Sequence, residues 1–180
     1  MIILKNISYT TNSNEKILDD INLNIKKGEF VVITGKSGSG KTTLASVING
    51  LISHYYEGTL TGEAYINGEK INDLELSKIG NQVGTVFQDP RSQFFMMDPF
   101  NEVAFGLCNR CLNKDEIKQR VKNSLQIFGI EHLKEKSIFK LSSGEKQKVA
   151  IASCYAMKPD IYLFDEPTAN LDIQIGRAHV

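Results

Sequence analysis

The sequence predicts an α/β fold with a buried parallel sheet as its core, an antiparallel β subdomain near the amino terminus and an inserted helical subdomain. Three observations predict it: period-two apolar runs within residues 1–30, a glycine-rich loop between an apolar run and a helical pattern, and a helical stretch over residues 90–156 that leads into another apolar run. Acidic and basic side chains balance at 21 each, so no overall charge indicates nucleic-acid binding.

The antiparallel subdomain is predicted from alternation and from turn residues. A polar cluster at residues 12–14 separates the two alternating runs, and Asn67-Gly68 supplies the positive φ values of a type I′ turn, which predicts a hairpin over residues 63–71. The alternating apolar residues are Ile3, Ile7 and Tyr9 in the first run and Ile21, Leu23 and Ile25 in the second.

Two short apolar runs predict the buried parallel strands. Residues 30–33 (Phe-Val-Val-Ile) precede the glycine-rich loop, and residues 161–164 (Ile-Tyr-Leu-Phe) follow the helical stretch. A helix is expected over residues 42–51, directly after the loop. Within the helical stretch, Asn113 followed by Glu116 indicates a capped helix start.

The glycine-rich loop fits the phosphate-binding pattern G-x-x-x-x-G-K-[ST] at every fixed position. Glycines let the backbone wrap closely around phosphate oxygens, and the N–H groups at the start of the following helix attract anions. Lys41 can reach the β- and γ-phosphates, and the Thr42 hydroxyl can bind Mg²⁺. We therefore expect nucleotide contacts from Gly35, Lys36, Ser37, Gly38, Ser39, Gly40, Lys41, Thr42 and Thr43.

Two adjacent carboxylates follow the second apolar run. Ligands bind beside the carboxyl ends of parallel strands, which is where Asp165 and Glu166 are expected. Asp165 suits the Mg²⁺ shell, and Glu166 suits the general base that polarises an attacking water. Alternatively, Asp165 caps the turn that begins at Pro167.

A third motif, just before the second apolar run, reads Leu141-Ser142-Ser143-Gly144-Glu145-Lys146-Gln147. This segment resembles the L-S-G-G-Q signature of ATP-binding cassette (ABC) ATPases, with Ser143 in place of Gly and Glu145 in place of Gln. Gln88 looks like the Q-loop glutamine of that family, residues 169–172 look like its D-loop, and Tyr9 lies where the family carries an aromatic residue that stacks on adenine.

The resemblance implies a P-loop NTPase with a RecA-like core, which hydrolyses ATP with Mg²⁺. It also implies a head-to-tail dimer, in which a second ABC ATPase domain contributes its signature residues to the γ-phosphate. The catalytic set that it implies is Glu166, Gln88, Lys41, Ser142, Gly144 and Asp172, and the Mg²⁺ ligands that it implies are Thr42, Gln88 and Asp165. Ser142 and Glu145 also fit an ordinary capping box, which is compatible with the phosphate contact.

The segment from Gln88 to Leu107 resembles the importers of the energy-coupling-factor and cobalt type, in which F-Q-x-P-x-x-Q-F and E-x-A-F-G recur. In that group the ATPases work with a transmembrane coupling protein and a substrate-capturing membrane protein, and they take up vitamins or transition-metal ions. The resemblance therefore implies a peripheral protein on the cytoplasmic face of the membrane, with no nucleic acid. An alternative is a soluble ABC-type ATPase that acts on ribosomes or DNA, and another is a nucleotide-binding module without turnover.

Two segments within the helical part allow two interpretations each. Residues 94–97 (Phe-Phe-Met-Met) either pack beneath the helical subdomain or form a docking surface for a helix of the membrane partner. Cys108 and Cys111 have the spacing of a metal or redox pair, but a second pair of ligands at zinc spacing and a thioredoxin-like element are both missing. Helical periodicity explains Leu107 and Cys111 equally well.

The domain organisation is predicted as one ABC nucleotide-binding domain over residues 1–174, with its helical insert at residues 90–156. Residues 175–180 match one reading frame of a common sequencing adapter, so we expect them to be a non-native tail; the alternative is a natural polar tail. The switch histidine of the family lies beyond the D-loop, and the sequence has no matching segment, so we expect the domain to be incomplete at its carboxyl end. The chain also has no apolar run of membrane-spanning length and no signal peptide, so any membrane role is expected to come through a partner.

Overall fold

The computed structural model describes residues 1–167 of the chain. It divides into two compact units, with the boundary between Gly84 and Thr85, and each unit is described by itself. Within residues 1–167, no helix combines the length and the apolar character that crossing a bilayer requires. The predicted D-loop, with Asp172, and the predicted tail lie outside the described residues.

The first unit contains a four-stranded antiparallel sheet with the strand order β2-β1-β3-β4. The register pairs Ile2 of β1 with Ile25 of β2 on one side and with Ile66 of β3 on the other. The predicted strands and the turn at residues 12–14 are therefore confirmed. The strands are β1 (Ile2–Thr11), β2 (Lys16–Ile25), β3 (Gly58–Ile66) and β4 (Glu69–Lys70).

The predicted hairpin is also confirmed, because β3 and β4 are joined by a two-residue turn. Asn67 has a φ of 49° and Gly68 a φ of 90°, which are the left-handed values that a type I′ turn requires. Asn and Gly adopt these values at lower cost than other residues. The turn residues therefore fix this register from the local sequence alone.

Short helices complete the first unit. The helix predicted over residues 42–51 is found in two parts, α1 (Lys41–Ile48) and α2 (Leu51–His54), separated at Gly50 with a φ of 80°. A Cβ on Gly50 would lie 2.5 Å from Ile79 Cδ1 of α3 (Leu76–Gln82), so the break also allows close packing. Propensity alone did not reveal this break.

The prediction of a buried parallel strand at residues 30–33 is wrong for this structure. Within the described residues no strand is assigned there, and the Phe30 side chain is 91% exposed. Val32 and Ile33 are exposed as well. The physical reason is that a parallel strand needs neighbours from distant parts of the chain, so an apolar run cannot form one by itself.

The second unit is mainly helical, as predicted for residues 90–156. Its long helices are α4 (Pro99–Asn109), α5 (Lys114–Ile127) and α6 (Ser143–Met157). The Asn113 side chain accepts a hydrogen bond from Glu116 N at 2.8 Å, which confirms the predicted cap of α5. The helices enclose a core formed by Val103, Ala104, Leu107, Val121, Leu125, Ile130, Leu133, Ile138, Leu141, Val149, Ala152 and Ala156.

Two short strands, β5 (Val83–Val86) and β6 (Ile161–Phe164), form a separate two-stranded sheet. The predicted strand at residues 161–164 is confirmed, but its complete burial is not, because Tyr162 and Phe164 are both about half exposed. Asp165 N, just past β6, donates a hydrogen bond to Val86 O at 3.0 Å. The carboxyl ends of the two strands therefore lie side by side.

Candidate nucleotide site

The phosphate loop occupies residues 35–42 and ends in the first turn of α1. The Lys41 ammonium donates hydrogen bonds to Gly35 O at 3.0 Å and to Lys36 O at 2.9 Å, so the side chain lies across the loop. Gly38 and Gly40 have φ values of 78° and 86°, which favour glycine. The loop is therefore closed by hydrogen bonds from the Lys41 side chain to the backbone at its start.

The loop glycines also make room that a side chain would fill. A Cβ on Gly35 would lie 2.6 Å from Ser39 Oγ, and a Cβ on Gly40 would lie 3.0 Å from Ile17 O. Because α1 begins at Lys41, the N–H groups of its first turn lie at the positive end of the helix dipole. A polyphosphate fits this cradle, since a helix amino terminus and an ammonium both attract phosphate oxygens.

The acidic strand end is built by two distant parts of the second unit. Gln88, two residues past β5, donates a hydrogen bond from Nε2 to Glu166 Oε2 at 2.9 Å. Glu166 has a φ of 45°, and this left-handed conformation is costly for a residue with a Cβ. Asp165 is buried beside it, while the Glu166 side chain is exposed. The structure thus brings together three predicted site residues.

The segment that carries Gln88 is fixed by local hydrogen bonds. The Gln93 side chain accepts a bond from Phe87 N at 3.1 Å, which ties both ends of the segment together. Arg91 N donates to Asp89 Oδ1 at 3.0 Å, and this bond, with the Arg91 guanidinium, lowers the pKa of Asp89. Asp89 therefore remains an acceptor over a wide range of pH, which stabilises the turn before residue 94.

The signature segment forms the start of α6. Ser142 Oγ accepts a hydrogen bond from Glu145 N at 3.2 Å, and Ser142 N donates to Glu145 Oε2 at 2.7 Å, so the predicted capping box is present. The bond from Ser142 N also lowers the pKa of Glu145. Gly144 lies in the first turn. The position of glutamate in the signature thus has a structural explanation, because a carboxylate caps the helix.

Residues 94–97 were predicted either to pack beneath the helical subdomain or to form an exposed docking surface, and individual residues fit one or the other. Phe94 packs against both hydrophobic clusters of the second unit, whereas Phe95 is 73% and Met97 63% exposed. The buried Glu102 carboxylate accepts bonds from Phe95 N at 2.9 Å and from Met96 N at 2.8 Å. Burial raises the pKa of Glu102, although these two bonds act in the opposite direction.

Tyr9, the residue predicted to stack on adenine, is buried in the structure. Tyr9 is only 4% exposed, and its hydroxyl donates to Glu57 O at 2.8 Å. A Cβ on Gly58 would lie 2.9 Å from the Tyr9 ring, so the ring is closely packed. Tyr9 therefore packs in the core of this unit, and its stacking on adenine remains a prediction, which would require the ring to become exposed.

The cysteines do not form a site within the described residues. No group of three or more His, Cys, Asp or Glu residues suitable for a metal is found there. Cys108 and Cys111 are exposed free thiols, and Cys111 lies past the end of α4 with a φ of 55°. Burial raises the pKa of the Cys154 thiol to about 12, so this thiol is a neutral part of the core.

Sequence reasoning missed the roles of Gln93 and Glu102, although both stand in motifs that it quoted. Their signal was weak, because a glutamine or glutamate near an apolar run is usually exposed. Gln147 was missed for the same reason; it is buried within the signature helix. Only burial and hydrogen-bond partners distinguish these side chains from their exposed counterparts.

The family model for the ABC transporter family matches residues 18–169 of the chain. An ABC transporter ATP-binding protein of Treponema denticola is 49% identical over 96% of the chain, and the chain spans 35% of that relative. A relative from Pyrococcus abyssi is 40% identical over the whole chain, which spans 64% of that protein. The chain therefore spans less than two thirds of the length of each of these two relatives.

Solved structures agree with the family model. CbiO1 of Clostridium perfringens, part of the ABC transporter complex CbiONQ, matches with a TM-score of 0.82 and 38% identity over 95% of this chain and 67% of its own. A dimeric ATP-binding cassette in a post-hydrolysis state, bound to ADP and Pi, matches with a TM-score of 0.82 and 33% identity over 96% and 77%. The predicted P-loop NTPase fold is confirmed, and the chain belongs to the ABC transporter ATP-binding family.

Proposed function

We propose that this chain is the ATP-binding and ATP-hydrolysing cassette of an importer, which powers the uptake of a vitamin or a transition-metal ion through a membrane partner. The observation that carries the ATPase part is the bond between Gln88 and Glu166 at 2.9 Å, beside the buried Asp165. A phosphate loop alone supports binding, whereas this arrangement also supplies a base for water and a group that orients the base.

Binding uses the loop and its lysine. The N–H groups of Lys41, Thr42 and Thr43 donate to phosphate oxygens, while the Lys41 ammonium exchanges its bonds to Gly35 O and Lys36 O for the β- and γ-phosphates. The same ammonium therefore closes the loop and recognises the nucleotide. Hydrolysis uses the Glu166 carboxylate, which accepts a proton from the attacking water while Gln88 holds its second oxygen.

The residues also fit Mg²⁺, which takes hydroxyl, amide and carboxylate oxygens as ligands. The Thr42 hydroxyl, the Gln88 amide oxygen and the Asp165 carboxylate would hold the ion. When bound, it supplies positive charge that offsets the charge on the phosphoryl oxygens. Thr42 and Asp165 belong to different units of the chain, so the proposal rests on their chemistry and on the family to which the chain belongs.

A second cassette would complete the site in a head-to-tail dimer. The capping box fixes the start of α6, where the helix N–H groups and the Ser142 hydroxyl can donate to a phosphate. Gly144 leaves the backbone of that turn open to close approach. The similarity to a dimeric solved cassette supports this proposal. We place Ser142 and Gly144 at the γ-phosphate bound by the partner cassette, with Asp172 at the same interface.

The membrane partner is proposed to dock on an exposed apolar surface of the second unit. We call this the docking surface and define it as Phe95, Met97 and Phe139, which are 73%, 63% and 72% exposed. Ile138 N donates to Met97 O at 2.8 Å, so the two segments that carry these side chains are joined. The Phe95 ring stacks on Phe105 at 5.1 Å between centroids. Such a surface suits an amphipathic helix of a membrane protein.

The importer class is supported by the similarity to CbiO1, which is part of the CbiONQ complex. A coupling protein and a substrate-capturing protein in the membrane would then be the partners. With them, the chain would be a peripheral protein on the cytoplasmic face of the membrane, and ATP hydrolysis would drive transport.

Replacing Phe95 with Glu in the complete transporter tests the docking proposal. A charge at the centre of an apolar contact should lower substrate uptake by about tenfold or more, with ATP affinity of the purified cassette unchanged. Uptake by vesicles and calorimetric ATP binding measure the two effects. Tyr55→Glu is the matched control, because Tyr55 is an exposed aromatic residue of the other unit. Equal loss of uptake and of ATP affinity would contradict the proposed docking role.

A further inference from the structure

Gln147 is a buried polar side chain whose amide group makes no hydrogen bond with the surrounding described residues. It is 1% exposed, and neither its amide nitrogen nor its amide oxygen has a hydrogen-bond partner among residues 1–167. Burying an amide without partners raises the free energy of the folded state. A native sequence that keeps such a group needs a physical reason, and a role in catalysis is one of the recognised reasons.

The position of Gln147 on α6 shows which segment it faces. Residues three, four and seven positions apart lie on one helix face, so Gln147 shares its face with Ala150, Ile151 and Cys154. Ala150 and Cys154 form a buried cluster with Val86, and Ile151 and Phe94 pack against that cluster. Side chains on a helix tilt toward its amino terminus, so the Gln147 side chain lies about one helical turn from this cluster, on the side nearer the start of α6.

The segment between Val86 and Phe94 carries Gln88. It packs directly on α6 through its 3-10 turn, Pro90–Gln93. Its backbone carries N–H and C=O groups, and the Gln147 amide can both donate to and accept from such groups. The polar groups of residues 87–93 are therefore the natural partners of Gln147.

We propose that Gln147 is a positioning residue: in the conformation that hydrolyses ATP it hydrogen-bonds to the backbone of residues 87–93 and thereby holds Gln88 against Glu166. The signature helix α6 would then contribute to hydrolysis in two ways: its amino terminus would contact a phosphate, and the buried amide of Gln147 would position Gln88. This inference rests on the ATPase site proposed above and is independent of the transported substrate.

Gln147→Met in the full-length protein tests the inference, because methionine keeps the length of the side chain and removes its hydrogen-bonding groups. We expect kcat for ATP hydrolysis to fall about tenfold, which corresponds to one lost contact in the transition state. KM for ATP should stay within about twofold. The unfolding temperature should stay the same or rise by about a few degrees, since an unpaired buried amide has been removed.

A double substitution separates positioning from a general structural effect. If Gln147 acts through Gln88, Gln147→Met should lower kcat no further in a Gln88→Ala background. Ser153→Ala is the matched control, because Ser153 Oγ of the same helix also lacks a partner among the described residues, and its loss should leave kcat unchanged.

Three outcomes would overturn the inference: an unchanged kcat, a fall in kcat together with a fall in unfolding temperature, or an equal fall in kcat in the Gln88→Ala background. Failure of the proposed ATPase site would give a different result from failure of this inference. If the ATPase site were wrong, Glu166→Gln would retain turnover, whatever the effect of substituting Gln147.

Discussion

The phosphate loop and the acidic strand end, which we propose to act on the same substrate, are built in different ways. The loop uses eight consecutive residues, and Lys41 bonds to carbonyls only five and six positions away. The strand end joins Gln88 to Glu166 across 78 positions of the chain. Local glycine conformations determine the first, whereas the pairing of β5 with β6 determines the second.

From this difference we expect nucleotide binding and turnover to depend on separable parts of the sequence. Substitutions in the loop should affect affinity, because the loop carries the groups proposed to contact the phosphates. Substitutions at the strand end should affect the rate while ATP still binds. The following substitutions test that separation, beginning with the largest expected effect.

Glu166→Gln should lower kcat by about a thousandfold, because an amide cannot accept the proton of the attacking water. The amide oxygen can still accept the bond from Gln88 Nε2, so ATP affinity should be retained and an ATP-bound dimer should accumulate. Phosphate release and gel filtration with ATP measure these effects. Glu15→Gln, at an exposed glutamate, is the control. Wild-type turnover in Glu166→Gln would refute the assignment of the base.

Lys41→Ala should weaken ATP binding by about a hundredfold, or about 3 kcal/mol, because charge-assisted bonds to two phosphates are lost. Calorimetry on the purified protein measures the affinity. Lys27→Ala removes an equal charge from an exposed position outside the loop and should bind ATP normally. If both variants bound ATP equally well, the loop would not be the phosphate site, and the comparison between the two regions would fail.

Glu102→Gln has the smallest expected effect and concerns the loop beneath the docking surface. Burial raises the pKa of Glu102, so ionising this carboxyl costs more in the folded than in the unfolded state. Stability from this group is present at low pH and is lost as pH rises through the raised pKa. The substitution should therefore reduce the fall in unfolding free energy between about pH 4 and about pH 7.

Denaturant unfolding at the two pH values measures this change. Glu135→Gln serves as the control, because the Glu135 side chain is 85% exposed. An unchanged pH dependence in Glu102→Gln would mean that the buried carboxylate does not titrate differently in the folded protein.

Much of the fold was predictable, because its determinants are local. The turn at Asn67-Gly68, the cap of α5 at Asn113 and the capping box at Ser142 each depend on residues within four positions.

The burial of individual side chains was less predictable. Tyr9 was expected at the nucleotide and lies in the core, since an aromatic residue in a strand suits either place.

The sequence by itself determined the family, the phosphate loop, the identity of the acidic pair and the positions of the helix starts. These follow from short motifs whose conformations are set by glycine freedom, helix caps and turn residues. Only the tertiary structure decided that Gln88 meets Glu166, that Glu102 and Gln147 are buried, and that residues 30–33 are exposed. The physical reason is that burial and long-range hydrogen bonds depend on which distant segments pack together, and a local pattern carries no information about distance in space.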